Sequence, residues 1–209
     1  MKNIYIKRLS INYISQSIIR RLEKLNGLDF LATVKSSDNG LDPRIMYSSS
    51  PTDRKFLKKV LEKLNINDND KILDIGCGKG NAILIMLKFP FSQVDGIEIS
   101  QDLIVIAKSN FQKLKVTNIK LYNIDASEFK YFDIYNYVYF FNPFHSSIMQ
   151  KVLENLIDSI NRKPRKVTII YFNPECHQEI INTKVFFKIS GFRYKNKDPM
   201  WIYSNIVNV

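Results

Sequence analysis

The chain has 209 residues, 45% of them hydrophobic and 12% aromatic, which suits one globular domain with an added terminal segment and excludes a disordered or low-complexity polymer. The formal charge of +11 fits an anionic partner such as nucleic acid, or a plain compositional bias, since lysine is scattered here among many asparagines and isoleucines. No apolar run reaches the roughly 18 residues of a membrane span, and Cys77 and Cys176 form neither a disulfide framework nor, with His145 and His177, a metal-ligand spacing; a cytoplasmic protein without a metal or membrane partner is expected.

From the N-terminus, "MKNIYIKRLSINYISQ" carries polar residues every few positions and lacks the unbroken apolar stretch of a secretion signal, so export is not expected. Residues 5–25 set Ile14, Ile18, Ile19, Leu22 and Leu25 at three- and four-residue intervals, predicting an amphipathic helix with arginine and lysine on its wet side. Residues 26–50 are rich in glycine, serine, aspartate and asparagine and read as loop. Together, residues 1–50 are expected to form a helix and loop that serve as a lid or packing element. Pro51 behind Ser50 predicts a helix start with serine as its cap, and Phe56, Val60, Leu61 and Leu64 supply that helix with an apolar stripe.

From residue 71 the rhythm changes to short apolar runs alternating with stretches of helical period, the pattern of a parallel α/β sheet. Strands are predicted at 71–75, 93–98, 119–123, 135–141 and 166–172. Helices are predicted at 101–114, with Leu103, Ile104, Ala107 and Phe111 inward, and at 146–161, with Ile148, Val152, Leu156 and Ile160 inward. After Gly191 two extended segments, "FRYKNK" and "WIYSNIV", predict a terminal hairpin, with Trp201 and Tyr203 packing the last strand.

Within "KILDIGCGKGNAI", residues 71–83, three glycines occupy five positions behind the first strand. Gly76, Gly78 and Gly80 let the chain turn sharply into a helix while its backbone comes closer to a ligand than a Cβ would allow. The spacing is Gly-x-Gly-x-Gly followed by Asn81, which disfavours a dinucleotide, whose turn needs Gly-x-Gly-x-x-Gly. Glu98 ends the second strand about twenty residues on, where a carboxylate accepts hydrogen bonds from ribose hydroxyls. Asp125 in "YNIDASEF" ends the third strand, within reach of an adenine amino group. Asp74 lies one step before the glycine turn, where a cationic ligand is welcome and a pyrophosphate is not. Cys77, inside the turn, reads as a small packing residue.

"ILDIGCGKG", "VDGIEIS", "NIDASEF" and "YVYFFNPF", in that order and spacing, resemble the successive motifs of the class I S-adenosylmethionine-dependent methyltransferases. The resemblance covers residues 50–209. It implies a Rossmann-like seven-stranded sheet of order 3-2-1-4-5-7-6, its last strand antiparallel, with the N-terminal helical segment added. It also implies S-adenosylmethionine as cofactor, with Gly76, Gly78 and Gly80 bordering the methionine portion, Glu98 holding the ribose and Asp125 the adenine, and with Asp74, Ile99 and Ala126 among the cofactor-binding residues. Upstream, "YSSSPTDRKFLKKVL" resembles a group of small bacterial members, which implies that Tyr47 and Thr52 close over the cofactor.

The acceptor side rests on Asn142-Pro143-Phe144, which resembles the Asn-Pro-Pro-Tyr/Phe motif of amine methyltransferases with one proline fewer. In that motif the asparagine side chain accepts hydrogen bonds from a target nitrogen and the aromatic ring stacks on it, so Asn142 is expected at both cofactor and acceptor, with Pro143 and Phe144 binding the acceptor. "FFNP" at 140–143 recurs as "YFNP" at 171–174, which brings Asn173 forward as a second acceptor contact. His145 is a candidate general base and His177 a candidate acceptor contact, each equally readable as a loop histidine. The acceptor is unidentified; a small molecule or protein amine is expected first, methylated at nitrogen or oxygen. A nucleic-acid methyltransferase or binding protein, and a cofactor-binding protein without catalysis, stand as alternatives.

Overall fold

The structure is a computed structural model, and it describes residues 16–33, 50–193 and 199–206. Three helices precede or flank the first strand: α1 (Gln16–Leu25), α2 (Arg54–Leu61) and, after β1 (Lys71–Ile75), α3 (Asn81–Met86). There follow β2 (Gln93–Glu98), α4 (Gln101–Lys113), β3 (Leu121–Asn123), β4 (Tyr137–Phe141), α5 (Ser146–Arg162), β5 (Thr168–Phe172), α6 (His177–Asn182), β6 (Phe187–Phe192) and β7 (Met200–Ser204). The strands form one sheet in the order β3-β2-β1-β4-β5-β7-β6. The first five run parallel, and β7 pairs antiparallel with both β5 and β6.

The near-continuous apolar runs of β1, β4 and β5 follow from burial on both faces. Alternate residues serve opposite layers. Ile72, Tyr139 and Ile170 face a cluster shared with α2, α3 and α4, whereas Leu73, Val138, Phe140 and Tyr171 face one shared with α5 and α6. Leu28, Phe30 and Leu31, just beyond α1, are buried in the first of these clusters. The stretch 28–31 is therefore packed into the body, whereas Ile18, Leu22 and Leu25 of α1, expected on an inward stripe, are exposed.

Several boundaries differ from the sequence expectation. Helix α2 begins at Arg54, not at Pro51, because Asp53 is the cap: its carboxylate accepts from the Phe56 N–H at 2.9 Å. Strand β6 lies earlier than "FRYKNK" and runs through Gly191, since its register on β7 pairs Phe187 with Ser204 and Phe192 with Met200. Gly191 there lies against the ring of Trp201. Strands β3, β4 and β5 each start two residues late. Before β4, a short 3-10 turn at Phe132–Ile134 holds the chain out of the ladder.

Candidate functional site

The carboxyl ends of β1, β2, β3 and β4 converge on an open cleft lined by Gly76, Ile97, Glu98, Ile99, Ile124, Asp125, Ala126, Phe144 and Ile148. Six of these nine were expected from the sequence. Ile97, Ile124 and Ile148 were not, because an apolar wall residue at a strand end carries no motif; only Ile148, four positions after Phe144 on α5, had a periodic signal as an inward residue.

Three glycines make the floor, each for its own reason. All three have left-handed backbones, with φ of 77° at Gly76, 53° at Gly78 and 86° at Gly80. At Gly76 a Cβ would stand 2.6 Å from Pro143 Cβ, so the turn after β4 is what this bareness admits. At Gly80, the N-cap of α3, a Cβ would enter the ring of Phe111. At Gly78 the φ of 53° is itself the requirement, since side chains of L residues rarely adopt it.

Glu98 is 5% exposed, and its two carboxylate oxygens accept from the Gly78 N–H and the Ser100 N–H, both at 2.9 Å. It thereby ties the end of β2 to the glycine turn. Burial raises its pKa, while the amides of Ser100, Gly78 and Ile99 hold it down. A carboxylate has about four lone-pair directions, so these amides leave capacity for a ligand. Asp125 caps a single 3-10 turn by accepting from the Ser127 N–H at 2.8 Å, and Asn123 donates to the Ile99 carbonyl at 2.8 Å, fixing the rim.

Asp74 is the anomaly of the site. It is 2% exposed, and its Oδ2 has no hydrogen-bond partner among the described residues. Burial drives its carboxyl well above the usual carboxylate range, and the Glu98 charge adds to the rise. An unsatisfied buried oxygen costs about 1–3 kcal/mol, so this one marks a place where a donor or cation is missing. Beside it on the sheet, Tyr139 pairs in register with Asp74, and the Tyr139 hydroxyl lies 2.9 Å from Thr52 Oγ1. Thr52 is thus bound beneath the site and not among the residues lining the cleft; Tyr47 lies outside the described residues.

Strands β4 and β5 are neighbours, and their register, Phe141 against Phe172, sets Asn142 and Asn173 at adjacent ends. Both have left-handed backbones, φ 37° and 52°, a conformation asparagine tolerates. Their side chains part company. Asn142, 7% exposed, accepts at Oδ1 from the Tyr171 hydroxyl at 3.1 Å, and Asn173 donates to Glu175 at 3.2 Å within its own turn. Neither is among the residues lining the open cleft, whereas Phe144, expected at the acceptor, stands there with Glu98 and Asp125. His145 occupies the N-cap of α5, outside the cleft lining. His177 is engaged elsewhere: its Nδ1 lies 2.9 Å from the Tyr203 hydroxyl and its ring meets Trp201 edge-on. The Cys77 thiol is pushed up by burial and by Asp74 and Glu98, which keeps it protonated and fits packing.

A second polar layer joins the N-terminal segment to the glycine turn. Arg54 donates to Glu23 and to Asn81 Oδ1, each at 2.6 Å, and Asn81 donates to the Thr52 carbonyl at 2.7 Å. Lys79 pairs with Asp29 at 2.5 Å, and Asn110 bridges the Asp29 and Lys79 carbonyls. Sequence reasoning missed all of these, since each links positions tens of residues apart.

A family model described as a methyltransferase domain matches residues 66–200. A bifunctional methyltransferase of Rickettsia bellii is 32% identical over 143 residues, 66% of this chain and 25% of that protein. The 23S rRNA (uracil(1939)-C(5))-methyltransferase RlmD of Francisella tularensis subsp. novicida is 30% identical over 96 residues, 44% of this chain and 20% of that one. The chain thus spans a quarter or less of the length of these curated relatives. Among solved structures, an RNA methyltransferase from Salinibacter ruber in complex with S-adenosyl-L-homocysteine has a TM-score of 0.57 at 16% identity, over 76% of this chain and 95% of that one. A SAM-dependent methyltransferase from Aquifex aeolicus has a TM-score of 0.60 at 12% identity, over 93% and 100%.

Proposed function

The chain belongs to the class I S-adenosylmethionine-dependent methyltransferases, whose methyltransferase domain it carries over residues 66–200, and from that premise we propose that it transfers a methyl group from S-adenosylmethionine to a nitrogen or oxygen of an acceptor. The observation that carries the reading is Asp74, a buried carboxylate whose Oδ2 has no partner among the described residues, one step before the glycine turn that is tied to Glu98 through the Gly78 N–H. A ligand that carries both a cation and a ribose answers both features. In this reading Glu98 offers its remaining lone pairs to the ribose, Asp125 meets the adenine, and Ile97, Ile124, Ala126, Phe144 and Ile148 exclude water from the purine. Bound there, S-adenosylmethionine supplies a methyl on sulfonium that carries its own leaving group. What is left for the protein is to orient the acceptor and shield the site, and proximity of this kind supplies about 7–11 kcal/mol.

Asn142 is the residue assigned to the acceptor, with Pro143 shaping the turn over Gly76 and Asn173 in a lesser, outer place. The segment 1–50 serves as a lid anchored at the glycine turn, a role supported by the Asp29–Lys79 and Glu23–Arg54–Asn81 links. Calorimetric titration with S-adenosylhomocysteine tests the reading: the wild-type chain binds it, and Gly78→Val does not. Absence of binding to the wild-type chain overturns the assignment.

A nucleic-acid acceptor is the second reading, favoured by the +11 charge and by RNA methyltransferases among the similar proteins. A single-stranded RNA oligonucleotide titrated at several salt concentrations decides it. Counterion release makes log K fall steeply with log salt when several phosphates are contacted. A flat response removes this reading and leaves a small-molecule or protein acceptor.

A further inference from the structure

The turn after β4 resembles a motif in which the asparagine oxygen takes an N–H from a target amine, yet here that oxygen is already engaged. Tyr171 is fully buried on β5, and its hydroxyl lies 3.1 Å from Asn142 Oδ1. The backbone N–H of Cys176 donates to the same hydroxyl oxygen at 3.3 Å. A tyrosine hydroxyl has a single hydrogen to give. The hydroxyl has two acceptors within reach, the amide oxygen of Asn142 and the weakly accepting sulfur of Cys176, and the stronger one takes the hydrogen. Turning the Asn142 amide over would leave that hydrogen only the sulfur.

The consequence falls on the other end of the amide. Among the described residues no group accepts from Asn142 Nδ2, and this nitrogen is not among the fully enclosed, unsatisfied atoms. The left-handed backbone at Asn142 fixes where the side chain starts, and Tyr171 fixes how it is turned. Asn142 therefore offers two N–H donors outward and keeps its acceptor inward.

We propose that Tyr171 is a positioning residue that holds Asn142 as a hydrogen-bond donor, so that the site selects acceptors whose reacting group is an oxygen, with one lone pair for the amide and one for the methyl, over those presenting an N–H. The proposal rests on the methyltransferase reading above and narrows its acceptor class. It removes the amine-first expectation drawn from the motif, because the chemistry of the amide is set by a tyrosine 29 residues away and not by the Asn-Pro-Phe spacing.

The test needs no identified acceptor. Sinefungin carries a protonated amine on carbon where S-adenosylmethionine carries its transferable methyl, so it places N–H donors at the position Asn142 is assigned to face. Its affinity is compared by calorimetry with that of S-adenosylhomocysteine, on the full chain. In the wild type and in Asn142→Ala the ratio of the two affinities is expected to agree within about twofold, since a donor gains nothing from a donor. In Tyr171→Phe the amide is released, Oδ1 turns outward, and the ratio shifts at least fivefold toward sinefungin. Asn142→Asp, which has only acceptors, shifts it further in the same direction.

A purely structural role for Tyr171 weakens both ligands together and leaves the ratio unchanged, which overturns the proposal. So does a selective loss of sinefungin in Asn142→Ala, which means that Oδ1 already faces outward. Failure of the wild-type chain to bind S-adenosylhomocysteine is a different result, and it removes the methyltransferase reading together with everything built on it.

Discussion

At the residue scale, Asp74 and Glu98 are two buried carboxylates with opposite treatment. Glu98 accepts from backbone amides, and Asp74 keeps one oxygen without a partner among the described residues. Because burial, then the Glu98 charge, raises the Asp74 pKa, the free protein holds this proton to a higher pH than an ordinary carboxylate would. Its effect on stability follows: none below the ordinary carboxylate range, and a growing destabilisation as pH climbs toward the raised value. A bound cation favours the ionised form, so binding releases the proton. Affinity for S-adenosylhomocysteine is therefore expected to rise with pH until Asp74 ionises in the free chain, by up to about tenfold per unit. Titrations in buffers of different ionisation enthalpy should show the released proton. Asp74→Asn should flatten the profile, and a flat wild-type profile would refute the link. Glu98→Ala should weaken the same ligand by about 1.5–3 kcal/mol, the range for hydrogen bonds to a charged group; unchanged affinity would reject the ribose role.

At the element scale, the strand-turn-helix unit of β1 and α3 shows that identical residues can be bare for different reasons. Gly80→Ala forces a methyl into Phe111 at a φ of 86°, so it should lower folding stability by about 1–3 kcal/mol, the usual range for local backbone strain, with the denaturant midpoint as readout. Gly78→Val, in the turn whose amide holds Glu98, should show itself chiefly in lost ligand. If the two variants lost stability and binding in the same proportion, the division of roles would be wrong. The recurrent Asn-Pro pair at the ends of β4 and β5 is likewise two devices of one shape. Both asparagines take the left-handed turn, but only Asn142 is anchored by a buried tyrosine. Asn142→Ala should lower turnover at least tenfold, about 1.4 kcal/mol, with little change in cofactor affinity, and Asn173→Ala should do less. Full turnover in Asn142→Ala would reduce the motif to a turn.

At the scale of the whole molecule, the N-terminal segment is both part of the core and attached to the site. Leu28, Phe30 and Leu31 are each 5% exposed or less, and burying such side chains is worth about 1.5–3 kcal/mol apiece. Removing residues 1–31 should therefore lower the thermal midpoint and uncover apolar surface along α4. The polar links are a separate matter. The Lys79–Asp29 pair has a half-exposed partner, and such pairs contribute at most about 1 kcal/mol, so Asp29→Ala should leave the fold intact. A drop in cofactor affinity in that variant would support the lid role, and none would argue that the segment only packs.

The sequence by itself determined the sheet, its order through a resemblance carried by four motifs, and the ring of acidic and glycine residues at the strand ends. It could do so because these signals are local: a period of two or of 3.6, a glycine spacing, a carboxylate at the end of an apolar run. Where a local rule had a rival, it failed at the margin, as when Asp53 outcompeted Ser50 for the cap of α2 and when β7 drew β6 five residues earlier than "FRYKNK". Only the tertiary structure decided what the polar groups do. It left Asp74 Oδ2 without a partner among the described residues, set Phe144 beside Glu98 and Asp125 in the cleft lining, drew His177 onto Tyr203, and turned Asn142 through Tyr171. The physical reason is that a hydrogen bond depends on which distant donor folding brings within about 3 Å, and no spacing along one strand records the register of its neighbour.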